Sequence, residues 1–146
     1  MRSRRRSEAT TTRVESGQAL VEFSLAITIF LLLIMGIIDL AGAAYQYNGV
    51  SEAARELARV TSVYALSDLG SSPESQAVLS TQRKLVPGLG TPTYTCIDIA
   101  GTPIEGLCPG GGWVRVTISA TFRPATPLTG FLGTIVLTSS ASAQVQ

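Results

Sequence analysis

Residues 23–38 contain no charged side chain, and only Ser24 and Thr28 among them are polar. As a helix this stretch would span about 24 Å, slightly less than a hydrocarbon core about 30 Å thick. Residues 19–21 and 40–44 make up the difference, which leaves Glu22 and Asp39 near the two boundaries. A helix that is apolar all round must be enclosed, either by the core of a large protein or by lipid. A chain of 146 residues has room for one modest domain, and nothing downstream is large enough to enclose such a helix. Lipid is therefore the expected surrounding.

Charge is scarce, at 14% of residues against roughly 25% in a typical soluble domain, and its distribution is informative. Arg2, Arg4, Arg5, Arg6 and Arg13 crowd the start of the chain, opposed only by Glu8 and Glu15. A basic cluster can mark a nucleic-acid contact, but one placed directly before an apolar run sets membrane topology. With a net charge of +1, no nucleic-acid partner is expected. The arginines hold the N-terminus in the cytoplasm, and residues after about 39 lie outside. Two other readings of the run remain open. One is a buried core helix. The other is a secretory signal ending at the small residues Ala41-Gly42-Ala43, although Asp39 interrupts the approach to that cut.

The chain contains no histidine, so the commonest general base and the commonest metal ligand are both missing. The abundant serines and threonines have no imidazole to activate them. Asp39, Asp68, Asp98 and Glu105 are isolated acids without a metal-ligand or glycosidase spacing. Gly110-Gly111-Gly112 lacks the lysine and following helix of a phosphate loop and reads as a turn into Trp113. No enzyme, metal or cofactor is expected. Cys96 and Cys108 are too few for a structural zinc site by themselves. In an extracytoplasmic compartment they are expected to form a disulfide closing a loop of about a dozen residues, the alternative being two independent buried thiols.

Glu22 is the anomaly of the apolar segment. An ionised carboxylate at the centre of a membrane span costs about 2.5 kcal/mol or more, and less near the edge. No lysine or arginine lies one helical turn away: positions 18, 19, 25 and 26 are Gln, Ala, Leu and Ala. Cutting the chain after Gly17 would create a cation, the freed α-amino group of Gln18. The stretch Gly17-Gln18-Ala19-Leu20-Val21-Glu22-Phe23 resembles the type IV prepilin processing signal, with glycine before the cut, four residues, glutamate, then phenylalanine.

The longer resemblance is to the TadE-like proteins of tight-adherence (Flp-type) pilus systems. It is carried by Gly17 to Phe23, by Gly36-Ile37-Ile38-Asp39-Leu40 and by Ala53-Ala54-Arg55-Glu56-Leu57-Ala58-Arg59. The tail Val114-Arg115-Val116-Thr117 to Phe122-Arg123-Pro124, then Thr126-Pro127-Leu128, is also similar to that family's C-terminal end. The resemblance implies a pseudopilin of a bacterial cytoplasmic membrane. Its partners would be membrane lipid, a prepilin peptidase, other pilin subunits and the pilus assembly machinery, and it would serve adhesion. Gly17 and Gln18 would flank the scissile bond, with Glu22 and Phe23 completing the processing signal. Glu22, Gly36 and Asp39 would serve assembly. Thr28 stands where such proteins often carry proline, so a helix interruption is not expected there. The rival from another class is a secreted or tethered binding module with no pilus role.

Helix-forming sequence continues beyond the span. Val50, Ala54, Leu57, Ala58, Thr61 and Tyr64 form one stripe, and Glu52, Arg55, Glu56 and Arg59 form a charged face with pairs at i,i+3. One helix is expected from about residue 16 to 66, with Asn48-Gly49 as its weak point. Ser72-Pro73 starts a second helix, stopped before Pro87-Gly88. Residues 93–99, 113–123 and 134–145 read as strands; Val114, Val116, Ile118, Ala120 and Phe122 share one face. The expected fold is α+β and pilin-like, a long N-terminal helix packed on a small antiparallel sheet. Its divisions are a basic leader (1–17), a transmembrane helix (18–44), the helix continuation (45–66) and an outer α+β domain (67–146).

Overall fold

The computed structural model describes residues 5–66, 69–126 and 133–146, with side chains from residue 17 onward. Asp68, Pro127 and Leu128, all named above, lie outside the described residues. The elements are α1 (Arg5–Tyr64), α2 (Pro73–Leu85), β1 (Thr93–Ile97), β2 (Pro103–Ile104), β3 (Trp113–Phe122) and β4 (Ile135–Gln144). The fold is α+β: a long helix whose second part packs on a small antiparallel sheet. Two compact units divide at Ile38 and Asp39.

The described part of the first unit is helix, and its large apolar side chains from Leu20 to Ile38 are exposed except for the half-buried Met35. This helix is long and apolar enough to cross a membrane. The polar residues inside it are satisfied locally. The Ser24 hydroxyl donates to the Val21 carbonyl at 2.8 Å, and the Thr28 hydroxyl donates to the Ser24 carbonyl at 2.7 Å. Back-bonding of this kind removes the polar cost of two hydroxyls in an apolar setting. The helix runs through Thr28 without a break.

In the second unit, residues 39–64 of α1 supply the stripe. Val50, Ala53, Ala54, Leu57, Ala58 and Thr61 are buried, and the apolar members pack with Val116, Ile118 and Ala120 of β3. Leu79 of α2, with Val86 and Leu89 after it, closes that core. The helix runs unbroken through the weak point Asn48-Gly49, as the single-helix reading expects. Gly49 has a different role. A Cβ there would lie 2.8 Å from Val86 Cγ2, so glycine lets the chain after α2 approach α1. Of the two expected ion pairs only Glu56–Arg59 forms, at 2.6 Å; Glu52 and Arg55 do not pair with each other.

Helix α2 begins as its sequence dictates. The Ser72 side chain accepts the Ser75 N–H at 3.2 Å, Pro73 occupies the first turn, and Glu74 lies at the positive end of the helix dipole. Ser72, Ser75 and Thr61 then form a buried chain of hydroxyls joining α2 to α1, with oxygen separations of 2.9 and 3.3 Å.

The sheet has four strands in the order β2-β1-β3-β4, all antiparallel, where three were expected. The additional strand is β2, two residues long and beginning with proline, too short to carry a periodic signal. A tight turn makes it. Asp98 Oδ1 accepts the Thr102 N–H at 2.7 Å, and Gly101 adopts φ +88°. Along β3 the alternation holds as read, with Val114, Val116, Ile118, Ala120 and Phe122 all buried.

Cys96 and Cys108 are disulfide-bonded with their Cα atoms 5.2 Å apart. The bridge lies in a second core cluster with Ala65, Val114 and Val145. The Cys108 N–H donates to the Ala65 carbonyl at 3.1 Å, satisfying a carbonyl left open just past the end of α1.

Candidate assembly site

Gly17, Gln18, Glu22 and Phe23 lie on the exposed first part of α1. The Gln18 side-chain amide donates to Glu22 Oε1 at 3.3 Å, one helical turn away. This neutral contact is long, and among the described residues no cation pairs with Glu22. The carboxylate is thus held by the residue that would become the new N-terminus after cleavage at Gly17. A Cβ on Gly17 would meet nothing within 4 Å. The Gly17–Gln18 bond lies inside continuous helix.

Gly36 is also open on its surface, with nothing near its missing side chain. Room of that kind lets another helix come close. Gly42, another glycine on the same helix, is already used within the chain: its missing Cβ would sit 3.4 Å from the Phe122 ring. The structure therefore separates two glycines that look alike in sequence.

Asp39 has a further task. It is only 7% exposed, and its carboxylate gathers the chain that follows β3. Oδ1 accepts the Ala125 N–H at 3.0 Å and the Thr126 N–H at 3.3 Å, while Oδ2 accepts the Thr126 hydroxyl. Two stretches far apart in the sequence are joined through this one side chain. Nothing in the local sequence around Asp39 announces a partner more than eighty residues away.

Gln46 acts in parallel, about two turns further along the same side of the helix. Its amide donates to the carbonyls of Pro87 at 2.6 Å and Thr121 at 3.2 Å, tying α1 both to the end of α2 and to β3. Beside it lies an open groove of about 660 Å³ lined by Tyr45, Gly49, Leu85 and Pro87 among others. Tyr45 and Leu85 are both exposed there.

The charged groups of the second unit are mostly solvated. The Arg59 guanidinium donates to both Glu56 carboxylate oxygens, at 2.6 and 3.0 Å, and this holds the Glu56 carboxyl below the usual carboxylate range. Tyr94 is different. Its hydroxyl is buried without a hydrogen bond of good geometry, and burial pushes its pKa up, an effect partly offset by the neighbouring Thr61 hydroxyl. A Cβ on Gly70 would fall 2.3 Å from the Tyr94 ring, so the ring fills the space that glycine leaves. Among the described residues, no three His, Cys, Asp or Glu side chains converge.

Comparison with known proteins adds one match. Residues 17–59 match the family model described as TadE-like protein, beginning at the glycine of the processing motif and ending at the second arginine of the alanine–arginine helix. Neither the curated proteins nor the solved structures yielded a match. The matched stretch lies wholly within α1 and includes Gly17, Gln18, Glu22, Phe23, Gly36 and Asp39. From the exposed apolar segment to the buried stripe, residues 17–59 of this chain are similar to the TadE-like family.

Proposed function

We propose that this chain is a minor pilin or pseudopilin, anchored by the first part of α1 and used in assembling a tight-adherence pilus. What carries the reading is the coincidence of the TadE-like match with one continuous helix that is apolar and exposed at its start and buried on a sheet further on. The TadE-like match and an N-terminal apolar helix are consistent with a pilus-associated protein. In the proposed topology the arginine cluster stays in the cytoplasm of a bacterium and the unit from Asp39 onward lies outside its cytoplasmic membrane. The disulfide fits that compartment.

A prepilin peptidase would cut after Gly17. Because that bond lies within helix, the first turns must open locally before cleavage, and glycine makes the opening cheaper by about 1 kcal/mol relative to alanine. Hydrolysis leaves an α-ammonium on Gln18. Its side-chain amide already contacts Glu22, but a charged donor makes a much stronger hydrogen bond than a neutral one. Presented by a neighbouring subunit, the ammonium would neutralise Glu22 in the apolar layer, and that neutralisation favours lateral packing. Gly36 would offer the close-approach surface. The role is structural rather than catalytic, and its partners are other pilin subunits, the peptidase, the assembly machinery and lipid.

The test is the mass of the mature chain from membrane and sheared-fibre fractions, with Glu22→Gln alongside. A start at Gln18, with fibre incorporation lost in Glu22→Gln, is the expected result. An intact Met1 start in cells with active peptidase removes the cleavage step. A start at Ala44 supports the secreted-module alternative.

A further inference from the structure

The two edges of the sheet are built differently. The β2 edge is two residues long, opens on Pro103 and lies within the disulfide-closed loop. The β4 edge is ten residues long and contains no charge and no proline. Its register against β3 is regular from Trp113↔Gln144 to Phe122↔Ile135. Soluble domains guard exposed edges with charge, proline, bulges or shortness. Strand β4 uses none of these.

The ladder fixes which backbone groups face outward. Val145 N–H donates to the Gly112 carbonyl at 2.9 Å, so pairs of the same parity, such as Val114↔Ala143, bond to each other across β3 and β4. On the far side of β3, Gly90 N–H donates to Ser119 and Thr121 N–H donates to Gly88, which is the same alternation. The N–H and C=O groups of Val136, Thr138, Ser140, Ser142 and Gln144 therefore point away from β3. Among the described residues, no strand pairs with them.

Copies of this chain fit the edge poorly. Antiparallel pairing of β4 with a second β4 uses a two-fold axis normal to the sheet. The α1 stripe packs flat on that sheet, so the axis would turn one α1 end for end, and two such chains could not enter the same membrane in the same sense. Pairing β4 with the β2 edge of a copy keeps the helices parallel, but meets a two-residue strand whose first member has no N–H.

We infer that β4 is a strand-addition site for an extended segment of a different subunit, an inference that rests on the assembly role proposed above. The chemistry of that segment is also constrained. The solvent face of β3 and β4 holds one charge, Arg115, whose Nε lies 3.4 Å from the Ser142 hydroxyl. An incoming strand that is otherwise uncharged and carries an acidic residue near Ser142 is complementary to it. Main-chain hydrogen bonds supply the affinity and Arg115 sets the register.

Ser140→Pro tests the site selectively, because the Ser140 N–H makes no bond to β3 and proline is tolerated on edge strands. Thr138→Lys guards the same edge by charge, Ser140→Ala is the control, and all are made in the full chain. Fibre incorporation is measured in cells, and thermal unfolding and disulfide content on detergent-purified protein. The expected result is unchanged melting with at least a tenfold loss of incorporation for Ser140→Pro and Thr138→Lys, and none for Ser140→Ala. Amide exchange at Thr138, Ser140 and Ser142 should be at least tenfold slower in chain extracted from assembling cells than in chain purified alone. If Ser140→Pro unfolds the domain, Thr138→Lys decides. If both edge variants assemble normally while Glu22→Gln does not, the strand-addition site is overturned and the pilin reading stands. If Glu22→Gln also assembles normally, that reading falls as well. A covalent homodimer of Ser140→Cys overturns the heterologous partner.

Discussion

Helix α1 meets two different solvents along one unbroken run of hydrogen bonds. In its first part Leu33 is 63% exposed among the described residues; further along, Leu57 is 0% exposed, with sheet and second helix packed around it. Their helix propensities are the same, so propensity explains neither environment. What differs is the pattern: apolar on every side in one part, apolar on a stripe in the other. The comparison teaches that only the striped part is stabilised by this chain's own fold, and that the uniformly apolar part depends on something outside it.

The largest test of that difference is a matched pair of truncations. Leu57→Ala is expected to destabilise the outer unit by about 2–5 kcal/mol through cavity formation, whereas Leu33→Ala should leave its melting unchanged. Thermal unfolding of the two variants in the same detergent reads both; equal shifts would mean that the helix is one cooperative body. A smaller effect separates the two units by chemistry. Reducing Cys96–Cys108, or replacing both by serine, should cost about 3 kcal/mol for a sequence separation of 12. Circular dichroism should then show the apolar segment still helical after the outer unit has melted at lower temperature.

The smallest effect concerns the Glu56–Arg59 pair on the second part of α1. The folded-state pKa of Glu56 is depressed by its hydrogen bonds from Arg59. The contribution of the pair is therefore present above the ordinary glutamate range and is lost as pH falls through the lowered folded value. Both groups are well solvated, so Glu56→Gln should remove this acid-side dependence while shifting the melting temperature at neutral pH by little more than experimental scatter.

Much of this architecture was legible in the sequence, for physical reasons that differ from element to element. The bounds of α2 follow from Ser72-Pro73 at one end and Pro87 near the other, because capping and proline are local effects. The buried face of β3 follows from strict alternation. The features that escaped depend on distant partners or on small residues. Ala53 and Ala65 are fully buried, yet an alanine on a helix carries little hydrophobic signal. Gly49 reads as a weak point until Val86 is placed against it. Strand β2 is too short to show a period, and its existence depends on the Asp98 turn. At the candidate site, the Gln18–Glu22 contact was within reach of an i,i+4 reading, whereas the partners of Asp39 were not.

The Asp39 buckle also constrains the order in which the molecule can be completed. Its carboxylate leaves the ribosome early, while the two backbone amides and the hydroxyl that satisfy it belong to residues 125 and 126. These contacts cannot form until residues 125 and 126 have been made, more than eighty residues after the acid, so this closure is a long-range one. Truncation just before Ala125 would leave the early segment translated and helical but without this closure, so the seal at Asp39 has to wait for residues 125 and 126 to arrive.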